Sequence, residues 1–167
     1  MKRIDIKKLV IAALLASFTC VATMIIQIPN GIGGYINLGD CIVLISGWML
    51  GPVYGGLSAA LGSMLADVFS SYVVYAPATF IIKGLMAVIA TVLYKALAAK
   101  NWVATVISGF AAELFMVLGY FLFEGALLYG FGTAALGLVS NFIQAAFGVI
   151  CAIVIKQFIE KKGIYKG

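Results

Sequence analysis

Six transmembrane helices in a single all-α membrane domain are predicted by three features of this sequence. They are its apolar content, the spacing of its apolar runs and the placement of its basic residues. Of 167 residues, 64% are hydrophobic and only 10% charged, against about a quarter charged in ordinary soluble domains. A water-soluble domain of this size has no interior large enough for so much apolar surface, so lipid is its natural solvent. The whole chain, 1–167, is read as that one domain, with no room for a soluble domain beside it.

The apolar stretches fall at about 8–28, 39–51, 53–70, 77–97, 102–124 and 134–157. The first has the charged flank of a secretory signal, but Leu9 to Ile28 reaches the length of a full span with no convincing cleavage site after it. It is read as a retained first helix. The second and third stretches share Leu38 to Ser70, too short for two perpendicular spans of about 20 residues each. Gly51-Pro52 is the turn signal between them, because proline restricts the residue before it and starts helices well. Two short helices meeting near one face are expected. The connection Pro29 to Asn37 is rich in glycine and reads as a shaped, mobile loop, not a plain hairpin.

Charge sets the orientation. Lys2, Arg3, Lys7 and Lys8 precede the first helix, Lys95 and Lys100 lie at the fourth-to-fifth connection, and Lys156, Lys161, Lys162 and Lys166 close the chain. With six helices these lie on one side, which the positive-inside rule makes cytoplasmic, so both termini are expected there. The connections 29–38, 70–76 and 125–133 contain neither lysine nor arginine. The net charge of +5 is therefore a topology signal and not a nucleic-acid footprint.

The chemistry available is narrow. The chain has no histidine, which excludes histidine–metal and histidine-based catalytic constellations. Cys20, Cys41 and Cys151 have neither zinc-site spacing nor an obvious disulfide partner, and read as small buried hydrophobes. No GxxxxGK[ST] phosphate loop is present. Neither a cofactor, a metal site nor an enzymatic activity is expected.

What remains is a set of polar groups in apolar surroundings. Asp40 opens the second helix and Asp67 closes the third; either can be a helix cap or a site residue. Lys83 lies about 9 Å into the fourth helix by the helical rise. Glu113 falls near the middle of the fifth and Glu124 near its outer end, while Asn141 and Gln144 share one face of the sixth. An ionised side chain at the bilayer centre costs at least about 2.5–3.5 kcal/mol, so these groups should face the bundle interior. Lys83 has two readings: an ion pair with Asp67 or Glu113 that holds the bundle, or part of a ligand site opening outward. Tyr35, Tyr72, Tyr75, Tyr120 and Phe123 lie at the same level, as an interfacial belt or as a stacking box for a flat ring. Small residues recur four apart at Ala12 and Ala16, at Gly47, Gly51 and Gly55, and at Gly55, Ala59 and Ser63. Such stripes allow close helix packing, and the one on the first helix can instead dock another membrane subunit.

Four segments in this order carry a resemblance: Gly34-Tyr35-Ile36-Asn37-Leu38-Gly39-Asp40, Gly51-Pro52-Val53-Tyr54-Gly55-Gly56, Gly62-Ser63-Met64-Leu65-Ala66-Asp67 and Tyr75-Ala76-Pro77-Ala78-Thr79-Phe80-Ile81-Ile82-Lys83-Gly84. Together they resemble the substrate-binding S components of energy-coupling factor (ECF) vitamin transporters. The resemblance implies a subunit that captures a vitamin or precursor from outside and works with a transmembrane coupling subunit and two ATPases. It maps the coupling contact onto Ala12 and Ala16, and the loop that closes over substrate onto Gly31–Asn37. The chain is most similar to the branch assigned to pyridoxine-type vitamers and hydroxymethylpyrimidine, with riboflavin as the larger alternative. Tyr35, Asn37, Asp40, Tyr75, Lys83, Glu113, Asn141 and Gln144 are then the expected substrate-binding residues. A stand-alone carrier driven by protons through Glu113 and Asp67 is the reading from a different class, although the chain lacks an internal repeat.

Overall fold

The computed structural model describes residues 5–97 and 102–163. Lys2, Arg3, Lys100 and Lys166, counted above in the basic face, lie outside the described residues. Helix α1 spans Ile6–Ile25, α2 Gly39–Phe69, α3 Ala76–Ala96, α4 Trp102–Phe123 and α5 Phe131–Lys161. These five segments, α4 with its extension to Leu128, are the helices long and apolar enough to cross a membrane among the described residues.

Local signals explain the boundaries. Asp5 caps α1 by accepting the Lys8 backbone N–H at 3.2 Å, and Pro77 sits in the first turn of α3, where its missing N–H costs nothing. The expected break at Gly51-Pro52 is present inside α2. Gly51 has φ 82° and ψ −176°, a backbone region that essentially only glycine occupies. The chain reverses there. Gly55 packs directly on the backbone of Ser46 and Gly47, a contact impossible within one straight helix. Residues 39–50 and 52–69 therefore form a tight helical hairpin, as the Leu38–Ser70 length required.

Two features differ from the sequence expectation. The first loop contains a minimal antiparallel β-pair, Ile28↔Ile36 and Pro29↔Tyr35. Its turn is set by the Asn30 side chain, which accepts the backbone N–H groups of Ile32 at 3.1 Å and Gly34 at 3.0 Å. Beyond α4, Glu124–Leu128 forms one π-helical turn. A wider turn of this kind shifts the register of the side chains that follow it, and hydropathy alone does not reveal it.

Polarity runs inside out relative to a soluble protein. Phe18, Leu57, Phe110, Leu136, Phe147 and Ile150 are exposed, whereas Asp40, Lys83, Glu113 and Gln144 are buried. That distribution suits a lipid surround, in which ionisable groups turn inward and apolar ones face the solvent. Small residues bring the backbones close: Gly47 meets the Ala87 carbonyl, Gly56 the Gly84 carbonyl and Gly62 the Ala16 carbonyl. Hydroxyls reinforce these crossings, Thr91 donating to the Gly47 carbonyl at 2.6 Å and Ser58 to the Ala12 carbonyl at 2.8 Å.

Candidate functional site

A cavity lies where α1 and the α2 hairpin end and α3 begins. Its wall includes Tyr35 and Asn37 from the first loop, Asp67 from α2, Thr79 and Lys83 from α3, Tyr120 and Glu124 from α4 and its π-turn, and Asn141 and Gln144 from α5. All these side chains except those of the loop come from apolar helices, so each is held where bulk water does not compete. The free space is about 30 Å³, room for two or three waters at about 10–15 Å³ each.

Charge forms the floor. Lys83 and Asp40 make a short buried ion pair, with side chains 3% and 0% exposed. Gln144 Nε2 donates to the other Asp40 oxygen at 2.6 Å. Breaking such a pair by removing one partner costs about 3–5 kcal/mol, because it strands a charge in a low-dielectric interior. Lys83 thus pairs with Asp40, and not with Asp67 or Glu113 as the structural reading of the sequence proposed. Its ammonium also stands 5.4 Å from the centre of the Tyr120 ring. Asp40 is not a helix cap; it makes no capping hydrogen bond and supports Lys83 and Gln144 from behind the cavity wall.

The first loop fills the space above this floor. Gln144 Oε1 accepts the Asn37 backbone N–H at 2.9 Å and the Asn37 side-chain N–H at 3.2 Å. Tyr35 donates its hydroxyl to Asp67 at 2.5 Å. Burial, and then the Asp67 carboxylate, raise the Tyr35 hydroxyl above its ordinary pKa, so it remains a donor at neutral pH. An amide and a phenol of the chain's own loop therefore satisfy polar groups of the wall. A ligand larger than a few waters enters only by displacing them, and must then offer equivalent donors and acceptors.

The aromatic residues cluster instead of forming a belt. Tyr35 and Tyr72 have ring centroids 4.5 Å apart, Tyr72 and Tyr75 6.5 Å, Tyr75 and Phe123 5.6 Å, and Tyr75 and Tyr120 6.5 Å. The pairs are tilted or edge-on, the favoured aromatic geometries, and Tyr35, Tyr75 and Tyr120 of the cluster line the cavity. Tyr75 donates to Glu124 at 3.2 Å, and Thr79 and Tyr120 share a hydrogen bond of 3.0 Å.

Of the eight expected binding residues, six (Tyr35, Asn37, Tyr75, Lys83, Asn141 and Gln144) line the cavity. Asp40 and Glu113 stand behind the wall. Glu113 is 1% exposed and packs with Gly148 beside Asp40, and neither of its oxygens has a hydrogen-bond partner. Its mid-helix position puts it deeper than the cavity floor. Glu124 corrects the expectation in the opposite sense. Placed near the outer end of its helix, it is 2% exposed and forms part of the wall, one turn beyond Tyr120 on the same buried face. Asp67, Thr79 and Tyr120 also join the wall; Asp67 and Tyr120 were visible as polar or aromatic groups at the right depth, whereas Thr79 gave no signal.

Ala12 and Ala16 face a different neighbour. Ala12 is buried under Ser58, and the Ala16 carbonyl lies against Gly62, so this stripe packs α1 on the second half of α2. Ala12 is thus not a free docking face within this fold, while Ala16 is half-buried at its edge. The exposed side of α1 carries Leu9, Val10, Leu14, Phe18 and Val21. Cys20, Cys41 and Cys151 are free thiols, and no group of metal-ligating side chains occurs among the described residues.

A bundle of membrane-length helices with a charged, aromatic-lined cavity at one end has the build of a multi-span membrane protein. The family follows from comparison with known proteins: residues 3–161 match the model of the ECF-type riboflavin transporter S component, and the chain belongs to that family. It is a membrane transporter component and not an enzyme. The chain is 31% identical to the thiamine precursor transporter HmpT of Lactococcus lactis subsp. cremoris, over 98% of this chain and 93% of that one. It is 34% identical to an uncharacterized protein in the gap 3′ region of Pyrococcus woesei, over 78% of this chain and 86% of that one.

Proposed function

We propose that this chain is the substrate-capture subunit of an ATP-driven ECF-type importer, binding a small nitrogen heterocycle from outside. The substrate class is hydroxymethylpyrimidine or a pyridoxine-type vitamer, pyridoxine or pyridoxal. The observation that carries this reading is the layered site: the Lys83–Asp40–Gln144 floor beneath an aromatic wall, closed by Tyr35 and Asn37. A flat ring with nitrogens and hydroxymethyl groups replaces the hydrogen bonds that the loop gives up, and stacks on Tyr75 or Tyr120. End-to-end similarity to a thiamine precursor transporter supports the same class. The family whose description the chain matches keeps riboflavin as a second reading.

The same proposal includes six spans, with the α2 hairpin counted as two, both termini in the cytoplasm and the cavity in the outer half. Lys8, Lys95 and Lys156 gather at the end opposite the cavity, in keeping with the positive-inside rule. The partners are a transmembrane coupling subunit and two ATPases, since the sequence has no phosphate loop of its own. The exposed side of α1, with Ala16 at its edge, is the surface proposed for the coupling subunit. Native mass spectrometry of the gently purified protein tests the substrate. The expected adduct has the mass of hydroxymethylpyrimidine, pyridoxine or pyridoxal. A riboflavin adduct would move the assignment to the second reading, and no adduct even after adding all four compounds would sink the proposal.

A further inference from the structure

A second, larger cavity opens at the other end of the bundle. About 490 Å³ separates the start of α1 from the bend of α2 and the last turns of α3 and α5, within the range of about 300–1,000 Å³ found for small-molecule sites. Its walls divide by chemistry. Ile45, Trp48, Leu50 and Ile159 make an apolar side, and the Trp48 indole N–H is already used, donating to Ser108 at 3.1 Å. Lys8, Lys95 and Lys156 reach in from three different helices, against a single lining acid, Glu160.

Those lysines are unequally satisfied. Lys156 pairs with Glu160 at 2.6 Å and stands 4.8 Å over the Tyr94 ring. Lys8 is 3.8 Å from Asp5, and Lys95 has no acidic partner among the described residues. Positive charge is therefore in surplus beside a dry wall. A water-filled recess has no need of the apolar side, and a purely apolar guest has no need of the lysines. The cavity fits an amphipathic anion. Lys8 lies in the first turn of α1 and Lys95 in the last turn of α3, so the mouth sits where hydrocarbon gives way to headgroups. Basic pockets between transmembrane helices at that level suit acidic headgroups.

We propose that this cavity binds one anionic phospholipid, with its phosphate against Lys8, Lys95 and Lys156 and the first part of an acyl chain against Trp48, Leu50 and Ile159. The bound lipid ties the bend of α2 to the ends of α1, α3 and α5. Placing it in the cytoplasmic leaflet rests on the orientation proposed above; binding in detergent does not.

The test uses delipidated full-length protein in detergent, titrated with dioleoyl phosphatidylglycerol or dioleoyl phosphatidylcholine and read by native mass spectrometry. Phosphatidylglycerol should be retained at one per chain, at least fivefold better than phosphatidylcholine. A Lys95→Gln/Lys156→Gln variant, which changes only exposed or half-buried side chains, should lose that preference. Ile159→Trp, which fills the apolar side, should lose the lipid itself. Inorganic phosphate should not displace the lipid at equal concentration. Thermal unfolding of each variant confirms that it is folded. Equal retention of the two lipids, or retention of phosphatidylglycerol unchanged in both folded variants, would overturn the proposal. Displacement by phosphate alone would also overturn it, leaving an anion site with no lipid specificity.

Discussion

Removing the Lys83 ammonium separates what this residue does for the fold from what it does for a ligand. In Lys83→Met, Asp40 keeps only its hydrogen bond from Gln144, at 2.6 Å and with no exposure to solvent. A stranded buried charge costs about 3–5 kcal/mol, equivalent to a fall in melting temperature of roughly 6–20 °C at about 2–4 °C per kcal/mol. Adding Asp40→Asn removes the stranded charge and keeps an oxygen for Gln144, so Asp40→Asn/Lys83→Met should regain more than half of the lost stability. Ligand binding should behave differently. Lys83 lines the cavity, and a hydrogen bond to a charged group is worth about 1.5–3 kcal/mol, one to two decades of affinity. The double variant should therefore be stable yet bind at least tenfold more weakly. Thermal unfolding in detergent and titration calorimetry on the same preparations read the two effects. A double variant that recovers both stability and full affinity would show that Lys83 serves only the fold.

The two inner glutamates should respond in opposite ways. Glu124→Gln alters the cavity wall and its bond from Tyr75, and should weaken binding about tenfold; Glu113→Gln changes a group behind the wall and should leave calorimetric affinity within about threefold, since 0.6–0.7 kcal/mol is half a decade. Gly51→Ala forces an alanine into a glycine-only backbone region and should cost about 1–3 kcal/mol of stability, visible as a lower melting temperature with ligand stoichiometry unchanged. Orientation can be read with an impermeant thiol reagent on intact cells expressing a variant without native cysteines. Val74→Cys should be labelled, and Lys162→Cys only after lysis; the reverse pattern would put the cavity on the inner side.

The fold was largely legible because lipid imposes one strong rule on the sequence, namely that spans are long and apolar and their connections are not. Gly51-Pro52 marked the α2 break because no other pair in 39–69 combines a glycine's freedom with a proline's restriction. Depth along each helix was legible too, which is why Lys83, Asn141 and Gln144 were placed together. Rotation about each helix was not. Glu113, Tyr120 and Glu124 share one buried face of α4 and its extension, yet only Tyr120 and Glu124 reach the cavity wall, and which part of that face meets it is set by the neighbouring helices. Partner choice was equally hidden: Asp67 and Glu113 were the partners expected for Lys83, and the packing of α2 on α3 selects Asp40 instead. Ala12 and Ala16 illustrate the same limit, since a small-residue stripe reads alike whether its neighbour is α2 or another subunit.

In the proposed function, a small heterocycle replaces the loop over the Lys83 floor. Titration calorimetry with hydroxymethylpyrimidine, pyridoxine, pyridoxal and riboflavin, on the parent and on Asp40→Asn/Lys83→Met, measures that directly. One of the three single-ring compounds should bind the parent saturably, one per chain, and at least tenfold more weakly in the folded double variant. No saturable binding by any single-ring compound, or the same affinity in both proteins, would contradict it.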